Sequence, residues 1–225
     1  PARAQRISKL FDRVSVCRQN REFNTYTGRY KNIPVSVMST GIGPDNVEIA
    51  LIELSQIVNE LTLLRIGTCG SLRRNIQIGD VVISTAALRL ENTSLFFVPE
   101  GYPAVAHYEM VRTLRDAADS LKMRYHLGLT ATAPGFYGAQ GRIVSGFPLR
   151  TTDMVTYFSR IGVLNFEMET SALFTLAGLK NYRAGSISAV YADRYRYRFA
   201  TAEQQRAAEL NCIKTGLKAM ELLCS

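Results

Sequence analysis

The sequence predicts the α/β class: a single domain whose central, largely buried β-sheet is flanked by helices. Three observations predict it. Short apolar runs alternate with stretches whose apolar residues recur every three to four positions, the signature of strands alternating with amphipathic helices. Turns at 41–43, 67–70 and 192–195 follow three of the apolar runs, where ligands bind in such sheets. The 225 residues are 47% apolar and 20% charged, a globular composition long enough for one large domain.

The elements follow in order. Pro34 to Thr40 alternates like a strand and runs into Gly41-Ile42-Gly43. Asp45 and Glu48 are spaced as a capping box, and Val47, Ala50, Leu51, Leu54 and Val58 give a helix over 46–58. Strands are expected at 61–66, before a turn at 67–70, and at 80–86. A helix over 104–122 turns Val111, Leu114, Ala118 and Leu121 inward. Then come a strand at 127–133, a short helix at 153–161, a strand at 163–166, a helix at 169–179, a strand at 184–192 and a helix at 202–223. No internal repeat or low-complexity linker interrupts the series.

Composition narrows the function. No apolar run is long enough to span a bilayer, and the first six residues lack the apolar core of a signal peptide. Cys17, Cys69, Cys212 and Cys224 are scattered, with no Cys-x-x-Cys pair, so reduced cytoplasmic thiols are expected rather than a disulfide scaffold or zinc ribbon. Two histidines, His107 and His126, argue against a His-rich metal site, and no metal is expected. Net charge is +8, which attracts anions: nucleic acid, acidic lipid or phosphate-bearing small molecules.

Four stretches can carry chemistry. In Arg65-Ile66-Gly67-Thr68-Cys69-Gly70 an arginine interrupts an apolar strand, a costly burial unless it meets negative charge. With neighbouring glycines and a hydroxyl it suits a tetrahedral oxyanion; an arginine snorkelling at a sheet edge is the plainer reading. Glu167-Met168-Glu169 places two carboxylates on one side of a strand end, fit to accept the vicinal hydroxyls of a ribose or simply to favour a helix start. Phe136, Gln140 and Arg142 sit in a Gly-rich loop, where an aromatic, an amide and a planar fork can read a base edge such as that of uracil; a solvated loop is the alternative. Tyr191 to Phe199 interleaves basic and aromatic residues, as in single-strand nucleic-acid binders or as a flap over a small-molecule site.

Taken in order, Asn20 to Phe23, Ser39 to Gly43, Leu64 to Gly70, Gly79 to Val82 and Asn165 to Thr170 resemble the nucleoside phosphorylase family, which includes uridine phosphorylases and hexameric purine nucleoside phosphorylases. Phe136, Gln140 and Arg142 match the Phe-x-x-x-Gln-x-Arg of the uridine branch. The resemblance implies a mixed central sheet and reversible phosphorolysis of uridine to uracil and ribose 1-phosphate, with inorganic phosphate as co-substrate and no cofactor. It implies that Arg3, Arg65 and Thr68 bind phosphate, joined by Arg21 from a neighbouring subunit of a homo-oligomer, dimer or hexamer, whose sites are shared across a dimer. It assigns the base to Phe136, Gln140, Arg142, Arg194, Cys69 and Gly70, and the ribose to Glu167, Met168 and Glu169. Neither nucleic acid nor membrane is an expected partner.

The chain departs from the family pattern at three places. The Gly-Asp that precedes the position of Pro1 in the family is absent, as is an upstream His, so residues 1–225 are expected to be one domain lacking its N-terminal segment. Cys69 stands where many uridine enzymes carry Thr. Asp193 stands where purine enzymes use an Asp as general acid, which keeps a purine nucleoside phosphorylase as the alternative. A basic nucleic-acid-binding protein using 191–199, a hydrolytic nucleosidase and a catalytically silent relative are further alternatives.

Overall fold

The structure, a computed structural model, describes residues 1–224. Helix α1 (Ala2–Ser8) is followed by strands β1 (Arg13–Asn20), β2 (Phe23–Tyr30) and β3 (Ile33–Met38), an antiparallel sheet in that order. After α2 (Pro44–Ile57) come β4 (Thr62–Ser71), β5 (Val81–Arg89), a 3-10 turn (Thr93–Phe96), β6 (Ala104–Val105), α3 (Tyr108–Ser120), β7 (Tyr125–Thr132), α4 (Met154–Arg160), β8 (Asn165–Glu167), α5 (Thr170–Leu179), β9 (Arg183–Asp193), β10 (Arg198–Phe199) and α6 (Ala202–Cys224).

The second sheet runs β10-β9-β4-β8-β7-β5-β6, and β9 also pairs with β5. That extra pairing closes β9, β4, β8, β7 and β5 into a ring. The sheet is mixed: β4 is parallel to β9, and β5 and β8 are each parallel to β7, whereas β8 runs antiparallel to β4 and β5 antiparallel to β9. β9 is buried along nearly its whole length, as an apolar strand covered on both faces must be. Val81, Ile83, Leu114, Ala118, Ile187, Ala189 and Cys212 form one core between the sheet, α3 and α6. Val47, Leu51, Leu173, Phe174 and Leu176 form a second between α2 and α5.

Several expected boundaries move, each for a local reason. The residues expected as a turn at 67–70 continue β4, held by parallel pairing with β9 and marked by an irregularity between Cys69 and Gly70. The expected capping box does not form: α2 begins at Pro44, whose fixed φ suits the first helical position, and Asp45 instead accepts a hydrogen bond from the Thr93 hydroxyl. The helix expected from 104 starts at Tyr108, because Ala104 and Val105 pair with Ala87 and Ala86 at the sheet edge. β8 is Asn165–Glu167 rather than 163–166. Helix α1 and the hairpin β1–β2 carry no sequence expectation. β1 is exposed along its length, so no buried face imposes an apolar alternation on it.

Ile187 lies at the centre of the ring with no exposed surface. Ile187→Ala is expected to cost about 2–5 kcal/mol through lost burial and a residual cavity, read as a lower urea midpoint with an unchanged slope.

Candidate active site

Arg65 reaches the interior from the middle of β4, its side chain 14% exposed. Its Nη1 donates to Ser188 Oγ at 3.0 Å, across the parallel pairing with β9. Its Nη2 donates to Glu169 Oε2 and lies 3.2 Å from Glu167 Oε2. Burial pulls the guanidinium pKa down, but the two carboxylates outweigh it and hold it above the ordinary value. Gly67 makes this geometry feasible: a Cβ there would stand 2.1 Å from Arg65 Nη1. The glycine is needed for the close approach of the arginine, not for a turn.

Each carboxylate is fixed by a helix start. Glu167 ends β8 and its Oε2 accepts the backbone N–H groups of Glu169 and Thr170, both at 2.9 Å, at the beginning of α5. Free amides and the positive end of the helix favour a negative group there. Its Oε1 accepts from the Thr132 hydroxyl at 2.5 Å. Glu169 Oε1 accepts from the Gly43 N–H at 2.7 Å, which ties α5 to the loop that opens α2. Of the two readings of Glu167-Met168-Glu169, Glu167 meets the helix start, while Glu169 bridges Arg65 to the glycine loop. Met168 lies half-buried between them, and Thr68 half-buried three residues beyond Arg65.

A second group lies further along β4. Arg194, 4% exposed, donates from Nη2 to the Gln140 backbone oxygen at 2.8 Å, with Nη1 3.4 Å from Gln140 Oε1. Its own N–H donates to Ser71 O, which fastens the end of β9 to the end of β4. Gly70 lies directly under it; a Cβ there would be 2.9 Å from Arg194 Cγ. Arg142 sits 4.1 Å above the Phe136 ring and 5.1 Å from the Phe199 ring, and its Nε donates to Phe136 O at 3.0 Å. Burial and the nearby charge of Arg142 push the Arg194 guanidinium down to about 10, so it stays charged at neutral pH. Burial lowers Arg142 as well. Among the described residues neither arginine has a carboxylate partner. Two cations side by side without an anion form a place for a ligand atom that carries or gains negative charge.

The remaining candidates are placed as follows. Arg3 donates to Glu209 Oε1 at 2.6 Å and to Ile66 O at 3.2 Å, beside Arg65 in sequence along β4. Arg21 stands exposed at the β1–β2 turn, with φ of 51°. The Cys69 side chain packs with Ile76, Val82 and Val190, and burial pushes its thiol up, so only its backbone is available to a ligand. Asp193 ends β9, its side chain 1% exposed, and pairs with Arg196 at 2.8 Å and Arg198 at 3.5 Å. Burial pushes its carboxyl up, but the hydrogen bonds and charge of Arg196, with a hydrogen bond from Arg198, hold it below the ordinary value. Tyr195 accepts from Arg74 through its hydroxyl. The basic residues of 191–199 are thus spent largely within the chain. Ser188 and Thr132 are parts of the site that carried no expectation, and the Gly43 amide carried one only as part of the turn at 41–43. Serines at 186 and 188 in an otherwise apolar strand were the one available sign. Among the described residues no group of His, Cys, Asp or Glu is arranged to hold a metal ion, and no helix is long and apolar enough to cross a membrane.

Asp193 gives a pH prediction. Its folded pKa is depressed, so its contribution is complete above the unfolded value of about 3.9 and is lost as pH falls through the folded value. Asp193→Asn is expected to be less stable than the parent at pH 7, with the difference shrinking below about pH 4. Melting curves across pH 2.5–7 check this; a difference that stays constant throughout refutes it.

The family described as the phosphorylase superfamily matches residues 1–219. A uridine phosphorylase of Thermococcus kodakarensis is 42% identical over 210 residues, covering 92% of this chain and 76% of that protein. A uridine phosphorylase of Escherichia coli is 35% identical over 230 residues, covering 99% of this chain and 89% of that protein. A guanosine phosphorylase of Halorubrum lacusprofundi is 34% identical over 190 residues, covering 84% and 74%. With a match along nearly its whole length and a mixed sheet that brings Arg65 onto two carboxylates, the chain belongs to the phosphorylase superfamily.

Proposed function

We propose that the protein catalyses reversible phosphorolysis of uridine, giving uracil and ribose 1-phosphate. The observation that carries the choice of base is the pair Arg142 and Arg194, two guanidinium groups without carboxylate partners, set against the amide of Gln140. Gln140 accepts from uracil N3–H, and the arginines face the O4 side. Phe136 and Gly70 complete the base pocket, with the Cys69 backbone. Glu169, with Met168 and Glu167, holds the ribose hydroxyls.

A phosphate oxygen attacks C1′ as the C1′–N1 bond breaks and N1 leaves with the bonding pair. Positive charge grows on the ribose and negative charge on the uracil. Phosphate on Arg65, Thr68 and Arg3 faces the first, and the unpaired arginines face the second. This is stabilisation by fixed charges and positioning, and no protein nucleophile or cofactor is required. The site charge supports the shared-subunit reading. Arg65 already meets two carboxylates and Arg3 meets Glu209, so a phosphate dianion needs further positive charge. The exposed Arg21 of a neighbouring subunit supplies it in a homo-oligomer with sites shared across a dimer. The scattered free thiols fit a reducing cytoplasm. The relative that acts on guanosine keeps purines in view, but Asp193 is held ionised by two arginines, and a proton donor at neutral pH needs a raised pKa.

The protein incubated with uridine is expected to release uracil only when phosphate is present. Arg65→Ala is expected to lower kcat/KM about 100-fold or more, in the range seen when a group that stabilises transition-state charge is removed. Gln140→Ala and Arg142→Ala are expected to penalise uridine far more than inosine. Uracil release without phosphate, or equal losses on both nucleosides, overturns the assignment. Mixing inactive Arg21→Ala and Arg65→Ala subunits is expected to restore part of the activity once exchange is demonstrated; no recovery after exchange rules out the shared site.

A further inference from the structure

We infer that Glu91, which bonds neither Arg65 nor its two carboxylates directly, is a positioning residue that sets both carboxylates around Arg65. This rests on the site proposed above and extends it. Glu91 is 2% exposed, just beyond β5, and no cation pairs with it directly among the described residues. Such a carboxylate is costly to bury unless donors surround it. Three do: Ser94 N–H at 2.9 Å, Ser94 hydroxyl at 2.6 Å and Ser171 hydroxyl at 2.8 Å. Ser94 Oγ in turn accepts from Arg89 Nε at 3.0 Å, so the nearest positive charge reaches Glu91 through a hydroxyl.

One arm runs to Glu167. With its hydroxyl committed to Glu91, Ser171 holds the first turn of α5 in place, and its N–H donates to Thr132 Oγ1 at 2.8 Å. That bond occupies the Thr132 oxygen and leaves its proton for Glu167 Oε1 at 2.5 Å. Glu167 Oε2 is then left to the α5 amides and Arg65. The second arm runs to Glu169. Thr93, adjoining Ser94 in the same 3-10 turn, donates to Asp45 in the first turn of α2. The residue that precedes this helix, Gly43, donates its N–H to Glu169 Oε1. The short turn after β5 therefore clamps the starts of both helices whose neighbouring groups hold the Arg65 cage. The base wall of Gln140 and Arg194 lies outside this network.

Ser171→Ala removes the inner link with the least change of shape, and Glu91→Gln changes the acceptor while keeping its size. Steady-state kinetics with uridine and varied phosphate test the inference. Each variant is expected to raise the KM for phosphate at least threefold and to lower kcat/KM about 5–30-fold. The ratio of uridine to inosine turnover is expected to stay at the parent value. The double variant is expected to be no worse than the worse single one, because both break one path. A purely structural role lowers the amount of active enzyme, and so kcat, without moving the phosphate KM. Unchanged phosphate KM in folded variants, or multiplicative losses in the double variant, overturns the inference while the uridine reading stands. A parent protein that neither consumes uridine nor binds inorganic phosphate by calorimetry overturns both.

Discussion

The guanidinium of Arg65 occupies a cage of two carboxylates and a serine hydroxyl in the middle of the sheet. A charge taken out of water costs several kcal/mol, and its return depends on geometry good enough to satisfy every partner. Here the partners come from three places in the chain: β8 gives Glu167, the start of α5 gives Glu169 and β9 gives Ser188. The closed ring of strands makes this convergence possible, since β4 touches β9 on one side and β8 at its end. Removing either glutamate leaves a buried charge with half its support. The fold and the site are therefore held by the same contacts.

Charge is distributed unevenly along β4. At Arg65 the negative groups outnumber the positive, and at Gly70 the two arginines stand without acids. A substrate that carries a sugar between an incoming anion and a base that leaves as an anion meets both conditions. In the proposed reaction the glutamates take the sugar and its developing positive charge, and the unpaired arginines take the base. Asp193, by contrast, is balanced within the chain by Arg196 and Arg198. An acid so compensated contributes to structure more than to proton transfer.

The strands and helices of the second sheet were largely legible, because Leu63, Ile83 and Ile187 sit in apolar runs and Leu114 and Ala118 recur at helical spacing. The glycine-rich stretch at 67–70 misled as a turn, since glycine marks both chain reversal and close packing, and only the neighbour distinguishes them. Here that neighbour is the Arg65 side chain itself. The capping box at Asp45 failed because Pro44 already opened the helix. Strand β1 left no pattern, having no buried face to record.

The sequence by itself determined the class of fold through its apolar and helical periodicities, and the interrupting arginine and the acidic pair as local departures from them, while the Phe-x-x-x-Gln-x-Arg loop stood out by its resemblance to the uridine branch. Tertiary structure alone decided that both acids meet Arg65 and that one of them, Glu167, also caps a helix. It also decided that Arg194 approaches Gly70 over a Gln140 backbone, and that Glu91 is joined to the cage through hydroxyls. Those outcomes depend on distances between segments far apart in the chain. Hydrogen bonds and ion pairs act over a few ångströms in space, a scale that residue spacing does not encode.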